Sequence, residues 1–390
     1  MPDVHATLSA SSSHRWLNCP PSARLAEQFP EATSSYAEAG RLAHSIAELK
    51  ARKYFLEPMS NRTYNARLKK LKADPNYDSG MDAATDAYLD HLKEIAVSFE
   101  TTPFVALETR VDYSHLAPEG FGTADCIIIG DGQIYVVDYK NGSGVPVEAE
   151  NNSQMMLYAL GALQVYGLIY GDSIQEIHLS IVQPHAGGIK TWSLPREELE
   201  TWGENVVEPA AQLAYKGEGE FCPGDWCDKN FCPARATCTA RAKKMLELEK
   251  DAPAELETLS DSQIGDILTR ALHLQKWVES LQSYALSAAL DGRKITGFKV
   301  VEGRGSRDWD NQDEAFQTLQ ERGIAEAMLY ERKPVSVAVL EKALGKKVFA
   351  DTADGLWRKK PGKPTLVPES DKRPEYNAAA IAFGVSGNGT

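Results

Sequence analysis

The feature that most constrains the fold is a hairpin pattern in the stretch GTADCIIIGDGQIYVVDYK, residues 122–140. Two apolar runs rich in β-branched residues flank the dipeptide Asp131-Gly132. Asp-Gly between such runs is among the strongest short-range signals for a tight β-hairpin. The sequence therefore predicts two antiparallel strands whose turn is closed by Gly130 and Gln133.

The register of this hairpin brings charged side chains together. Asp125 falls directly opposite Asp138, and directly opposed residues have Cβ atoms roughly 4.5–5.5 Å apart. Lys140 projects from the same face as Asp138, because residues two apart in a strand share a face. Opposed like charges destabilise a sheet. The pair therefore requires a compensating cation, and Mg²⁺ is a cation that prefers oxygen ligands.

Together with the helix that follows, these residues resemble the PD-(D/E)XK nuclease superfamily. G-x-x-D, a hairpin and D-x-K are followed by Gln154 and Tyr158, four apart on one helical face, and this order resembles the RecB-like branch. The resemblance implies an α/β fold with a RecB-like nuclease core, a central mixed sheet flanked by helices. It also implies metal-dependent DNA hydrolysis, with Asp125, Asp138, Lys140, Gln154 and Tyr158 as catalytic residues.

The resemblance extends to the ligands of a catalytic Mg²⁺ or Mn²⁺. His44, in a G-x-x-x-H pattern on a predicted helix, resembles the histidine that joins the two aspartates on the metal. The backbone carbonyl of Tyr139 is an additional expected ligand. Gly40 predicts close approach by another backbone, because glycine inside a helix costs about 1 kcal/mol relative to alanine. Glu108 either completes the acidic group or pairs with Arg110, and the sequence leaves both open.

Six cysteines divide into a cluster of four and two isolated residues. Cys126 lies in the hairpin strand and is expected in the core. In a cytosolic chain, clustering of the kind in FCPGDWCDKNFCPARATC indicates metal binding rather than disulfides. Two alternatives follow. Either all four clustered cysteines bind zinc, or the distant Cys19 joins three of them on a 4Fe–4S cluster, which takes four thiolates.

The second alternative resembles the iron–sulfur RecB-like nucleases, in which one cysteine before the core joins three after it. The resemblance favours iron–sulfur over zinc and implies Cys19, Cys227, Cys232 and Cys238 as the ligands. The gap between Cys227 and Cys232 is wider than in that family, and Cys222 is surplus. The third clustered ligand therefore stays open between Cys222 and Cys227, with Cys227 preferred.

The charge balance limits how the chain can bind nucleic acid. The formal net charge is −13 at pH 7, which argues against a protein that coats DNA through bulk electrostatics. It is compatible with an enzyme that grips nucleic acid locally. No apolar run approaches membrane-spanning length and no signal peptide is evident. The sequence predicts a cytoplasmic protein that makes no membrane contact.

The rest of the chain is predicted to be organised around the nuclease core. The predicted segments are an N-terminal helical cap carrying Cys19 and His44 (1–103), the nuclease core (104–216), a Cys-cluster segment that closes the nuclease domain (217–250), a helical connector (251–292), a small α+β accessory domain (293–375) and a tail (376–390).

The two ends of the chain carry a second resemblance. SASSSHRWLNCPPSARL near the N-terminus and PESDKRPEY near the C-terminus resemble a phage-encoded exonuclease family formerly of unknown function. The resemblance implies resection of linear double- or single-stranded DNA during phage recombination or replication in the bacterial host, alongside a phage single-strand annealing protein. The alternative is a catalytically inactive or zinc-knotted nucleic-acid-binding adaptor in a recombination complex.

Overall fold

The computed structural model describes residues 6–30, 35–247, 260–301, 311–322, 324–330, 336–353 and 356–357. The chain divides into two compact units, Met1–Arg293 and Lys294–Thr390. The finer division of the first unit into cap, core, Cys-cluster segment and connector stays a prediction.

Five strands form one sheet in the first unit. They are β1 (Phe104–Asp112), β2 (Phe121–Gly130), β3 (Gln133–Tyr139), β4 (Glu176–Gln183) and β5 (Gly188–Pro195). The order in the sheet is the order in the chain. The β3–β4 pair is parallel and the other three pairs are antiparallel. The predicted mixed sheet is therefore confirmed.

Helices flank this sheet, and several of them precede it. They are α1 (Ser13–Asn18), α2 (Ser22–Ala26), α3 (Ser35–Phe55), α4 (Asn61–Lys72), α5 (Gly80–Val97), α6 (Ser153–Tyr170), α7 (Arg196–Trp202), α8 (Glu208–Lys216), α9 (Trp226–Lys229), α10 (Thr239–Leu246) and α11 (Asp261–Leu290). The helix α6 makes the crossover that a parallel β3–β4 pair requires. None of the described helices is long and apolar enough to cross a membrane.

The β2–β3 hairpin has the predicted register. Ile129 pairs with Ile134 across the turn. Asp131 and Gly132 have φ angles of 46° and 76°, and positive φ at both central residues is what a two-residue type I′ turn requires. The Asp131 carboxylate also accepts a hydrogen bond from the backbone N–H of Glu100 at 2.7 Å. This contact ties the turn to the segment before β1.

Alternate residues of β2 fill two separate hydrophobic cores, as the period of two in a strand requires. Ile127 and Ile129 pack in a core that includes α6. Cys126 and Ile128 pack in a core that includes α3 and α5. Cys126 is fully buried, as expected. Since the two cores lie on opposite faces, α3 and α6 approach the same sheet from its two sides.

The described part of the second unit is helical. Its helices are α12 (Gln312–Glu321), α13 (Glu326–Leu329), α14 (Val337–Leu344) and α15 (Lys346–Thr352). None of the residues described there forms a strand. Residues 302–310 and 358–375 of the predicted α+β region lie outside the described residues, so that assignment stays a prediction. In KITGFKVV, Gly297 sits in a turn with φ +84°, which breaks the extended backbone. The predicted tail 376–390 lies outside the described residues.

Candidate functional site

Three side chains from different elements form a group that can hold a metal ion. His44 on α3, Glu108 on β1 and Asp125 on β2 each offer one ligand atom, and these atoms lie within 4.8 Å of one another. His44 Nδ1 is 3.3 Å from Asp125 Oδ1. The backbone N–H of Tyr139 donates to Asp125 Oδ2 at 2.7 Å. This bond fixes the carboxylate beside the end of β3.

Glu108 belongs to this group rather than to a pair with Arg110. The Arg110 guanidinium lies over the Phe121 ring, 3.8 Å from its centroid. Glu108 itself has φ +47°, and a non-glycine residue in this region costs on the order of 1–3 kcal/mol. The β1–β2 pairing skips Glu108 and Asp125 while continuing on both sides. The strand is therefore irregular at the position where its carboxylate meets the other two ligand atoms.

Asp138 is held by a different set of contacts. Its side chain is only 4% exposed, and Lys140 Nζ lies 2.9 Å from Oδ2. Gln154 Nε2 donates to Oδ1 at 3.2 Å. The Lys140 ammonium is therefore the cation that faces this buried oxygen. Asp138 stands outside the close group of three ligand atoms.

The two predicted residues of α6 converge on the same pair. Gln154 Nε2 contacts the Tyr158 hydroxyl at 3.2 Å, and its Oε1 lies 3.5 Å from Lys140 Nζ. The Tyr158 ring occupies the space above Gly122, where an added Cβ would lie 2.6 Å from the ring. The glycine of the G-x-x-D pattern therefore makes room for Tyr158, a role that sequence reasoning did not assign.

The helix α3 positions His44 from the other side of the sheet. Buried residues of α3 such as Ala43 and Ile46 pack in the core with α5, while the His44 side chain is 32% exposed. The prediction of a close backbone approach at Gly40 is wrong. Among the described residues, no atom lies within 4 Å of a Cβ built at that glycine.

The pKa values reflect an excess of negative charge at the site. Burial raises the pKa of Glu108 to about 7, and the Asp125 carboxylate adds to the effect. Burial also raises the pKa of Asp138, against the opposing influence of Lys140. Burial alone would lower the pKa of His44, but Asp125 outweighs it and the pKa rises to about 9.

Asp125 remains the anionic centre of the group. Burial works to raise its pKa, but the His44 charge and the hydrogen bonds from His44 and Tyr139 outweigh it and lower the pKa. Carboxylate oxygens with one imidazole nitrogen are donors suited to Mg²⁺ and Mn²⁺. The residues present therefore fit a divalent cation, whose binding would displace protons from His44 and Glu108.

A second group of candidate ligands surrounds a small cavity. Cys19, Cys227, Cys232 and Cys238 all line it. Cys222 is exposed and is not among the lining residues, although its backbone N–H donates to the Cys19 thiol. All the cysteines are free thiols. The structure thus brings Cys19 to the three clustered cysteines that the sequence analysis preferred.

The four thiols around this cavity suit both alternatives that the sequence leaves open. A structural zinc site takes four ligands in a tetrahedron, and these can all be thiolates. A 4Fe–4S cluster also takes four thiolates.

Comparisons with known proteins add a family and one structural likeness. Residues 5–374 match the family DUF2800, described as a protein of unknown function. A solved structure described as the crystal structure of SSO0001 is 14% identical, covers 62% of this chain and 90% of that chain, and gives a TM-score of 0.27. At that TM-score the likeness carries no argument about this chain. Because the family match covers nearly all of the sequence, the chain belongs to the DUF2800 family.

Proposed function

We propose that this protein is a Mg²⁺- or Mn²⁺-dependent deoxyribonuclease of the RecB-like PD-(D/E)XK type. The observation that carries the proposal is the convergence of His44, Glu108 and Asp125 beside the Asp138–Lys140 pair. Phosphodiester hydrolysis needs an activated water, a polarised phosphoryl oxygen and a stabilised leaving oxygen, and a bound divalent metal supplies this chemistry.

The residues divide into metal ligands and groups that act on the substrate. His44, Glu108 and Asp125 would hold the metal, joined by Asp138 Oδ2 and the carbonyl of Tyr139. Each offers a nitrogen or oxygen donor of the kind that Mg²⁺ and Mn²⁺ accept. The side chains of His44 and Lys140 are 32% and 29% exposed. A substrate phosphate can therefore reach the site from solvent.

Lys140 acts as a cationic donor rather than as a base. Burial works to lower its pKa, but the neighbouring Asp138 carboxylate outweighs burial and raises it. The Lys140 side chain is therefore a protonated ammonium group at neutral pH. In this form it can orient the attacking water and offset charge on the phosphate. Gln154 holds both members of the pair, with its amide nitrogen on Asp138 and its oxygen facing Lys140.

The proposed substrate is linear DNA, attacked from its ends. We infer this from the sequence resemblance, which also gives the setting: phage recombination or replication in the bacterial cytoplasm, alongside a single-strand annealing protein. The net charge of −13 is consistent with a local grip on the phosphate backbone, because bulk electrostatics would repel DNA.

A time course on end-labelled single- and double-stranded DNA, with Mg²⁺ or Mn²⁺, tests this function. The parent is expected to shorten the labelled strand, and Lys140→Ala to lose the activity while keeping its circular dichroism spectrum. Lys93→Ala is a matched control, because Lys93 pairs with Asp90 at 3.0 Å on the surface. Equal activity in parent and Lys140→Ala would refute the assignment. DNA binding without cleavage by the parent would instead support the adaptor alternative.

We further propose that Cys19, Cys227, Cys232 and Cys238 hold a structural 4Fe–4S cluster. The shared cavity, which brings Cys19 to the three clustered cysteines, supports this set of ligands, and the sequence resemblance favours the cluster over zinc. Protein purified without oxygen should be brown and should contain iron and acid-labile sulfide. Colourless protein with stoichiometric zinc would overturn the cluster without affecting the nuclease proposal.

A further inference from the structure

A buried arginine with no ion-pair partner among the described residues lines the cysteine cavity. Arg15 on α1 is 9% exposed and borders the same cavity as the four thiols. Its Nε has no hydrogen-bond partner, and no carboxylate of the described residues forms an ion pair with it. Burying a charge without a partner is costly. The position therefore calls for an anion inside the cavity.

Two neighbouring arginines show how a buried guanidinium is usually satisfied. Arg241 is 2% exposed and donates to both oxygens of Asp228, at 3.0 and 2.8 Å. Arg235 lines the cavity but donates to the backbone carbonyl of Cys232 at 3.3 Å. Within the described part of the chain, the Nε of Arg15 has neither kind of contact. Of the two arginines that line the cavity, Arg15 is the buried one, whereas Arg235 is half-buried.

The thiols are the groups that can supply the missing negative charge. Burial raises the pKa of the Cys232 thiol, and the Arg15 guanidinium acts against this effect. Metal binding converts thiols into thiolates, and a metal centre with four thiolates carries net negative charge. The charge that Arg15 needs therefore arrives with the metal.

We propose that Arg15 is the internal counter-ion of a metal–thiolate centre held by Cys19, Cys227, Cys232 and Cys238. The proposal rests on the cysteine centre of the proposed function and is independent of nuclease activity. Net charge and hydrogen bonds to sulfur help to set the reduction potential of an iron–sulfur cluster. A cation beside the sulfurs stabilises the reduced, more negative state more than the oxidised state. Arg15 is thus a positioning residue that raises the potential and retains the metal.

The test compares full-length Arg15→Gln and Arg15→Lys with the parent after anaerobic purification. Readouts are iron and sulfide per chain, the rate of metal loss to a chelator, and the midpoint potential from a spectroscopic redox titration. Arg15→Gln is expected to have a more negative midpoint and to lose metal several-fold faster. Arg15→Lys keeps the charge and should stay closer to the parent. Arg67→Gln, at an exposed arginine paired with Glu57, controls for the change in net charge.

The outcomes separate this proposal from the cofactor assignment. If the protein carries zinc, the iron–sulfur assignment fails, but Arg15→Gln must still lose zinc to a chelator faster than the parent. A folded Arg15→Gln protein with the parent's midpoint and retention overturns the counter-ion proposal. If Arg15→Gln does not fold, Arg15→Lys tests the counter-ion proposal. A folded Arg15→Lys protein that no longer retains metal overturns that proposal. A parent protein that binds no metal at the cysteines overturns both.

Discussion

The carboxylate site and the cysteine cavity neutralise their charges in different ways. At the sheet, two carboxylates are paired with side chains that can carry positive charge. His44 pairs with Asp125, and Lys140 pairs with Asp138. In the cavity the sign is reversed. Burial raises the pKa of the Cys19, Cys227 and Cys232 thiols, and the buried Arg15 has an Nε without a hydrogen-bond partner in the described part of the chain.

This difference indicates how each site depends on metal. The sheet, α3 and α6 hold most of the carboxylate site in place. Metal removal should therefore abolish its function but change its structure little. The thiols of the cavity become negatively charged thiolates when metal binds. Metal removal should therefore destabilise the fold around the cavity. The predictions below separate these two kinds of dependence.

The largest expected effect is on catalysis at the sheet. Asp125→Asn removes the anion that holds His44 and receives the Tyr139 N–H, so kcat should fall more than about 100-fold. Metal bound at the cysteines should be unchanged, which elemental analysis checks. Asp90→Asn, at an exposed carboxylate of α5, is the control. Loss of cysteine-bound metal in Asp125→Asn would show that the two sites are coupled.

The second prediction concerns the cavity and uses two cysteines from one segment. Cys227 is buried in the cavity, whereas Cys222 is exposed. Cys227→Ala should lose the bound metal and lower the free energy of unfolding by at least about 2.7 kcal/mol, the stabilisation given by a ligand at 100 times its Kd. Cys222→Ala keeps its backbone N–H and should behave as the parent in metal content and in denaturant titration. If Cys222→Ala loses the metal and Cys227→Ala keeps it, Cys222 is the ligand.

The third prediction addresses packing beneath the carboxylate site. A Cβ at Gly122 would lie 2.6 Å from the Tyr158 ring, and overpacking of this kind costs about 1–3 kcal/mol. Gly122→Ala should therefore lower the midpoint of urea unfolding and reduce kcat, because Tyr158 contacts Gln154. Cysteine-bound metal should be retained. At Gly142, no atom lies within 4 Å of an added Cβ among the described residues, so Gly142→Ala is the control.

The fourth prediction is the pH dependence of metal binding at the sheet. His44 has a pKa of about 9 and Glu108 of about 7, and both must lose a proton to bind metal. Affinity should rise about tenfold per pH unit between pH 7 and 9, and more steeply below pH 7, where Glu108 is also protonated. Calorimetry in buffers of different ionisation enthalpy measures the proton release. In Glu108→Gln, metal affinity should no longer change more steeply with pH below pH 7.

The hairpin could be predicted from sequence because its determinants are local. The Asp131-Gly132 turn fixes the register over the next few residues on each strand, as far as the pair of Cys126 and Val137. Asp125 and Asp138 are the next residues along the two strands. The grouping of Glu108 with His44 could not be predicted, because it depends on an irregular backbone at Glu108 and on how α3 packs. The sequence alone left Glu108 between two partners.

The errors have the same physical origin. A glycine can stand inside a helix for reasons other than close packing. The prediction that Gly40 contacts another backbone is therefore wrong. Arg15 gave no signal, since arginines on short helices are ordinarily solvated. Its burial arises only when α1 meets the cysteine segment, where the His14 and Trp226 rings lie 6.1 Å apart. Such contacts between distant segments are absent from any local pattern.

Cys19 lies ahead of the sheet, while the other cavity cysteines follow it. A metal centre shared among them would fasten the two flanks of the first unit across roughly 200 residues. Oxidants that destroy such a centre would release α1 and the cysteine segment together without touching the carboxylates. Damage at a place that takes no part in the proposed chemistry would then also remove the proposed activity.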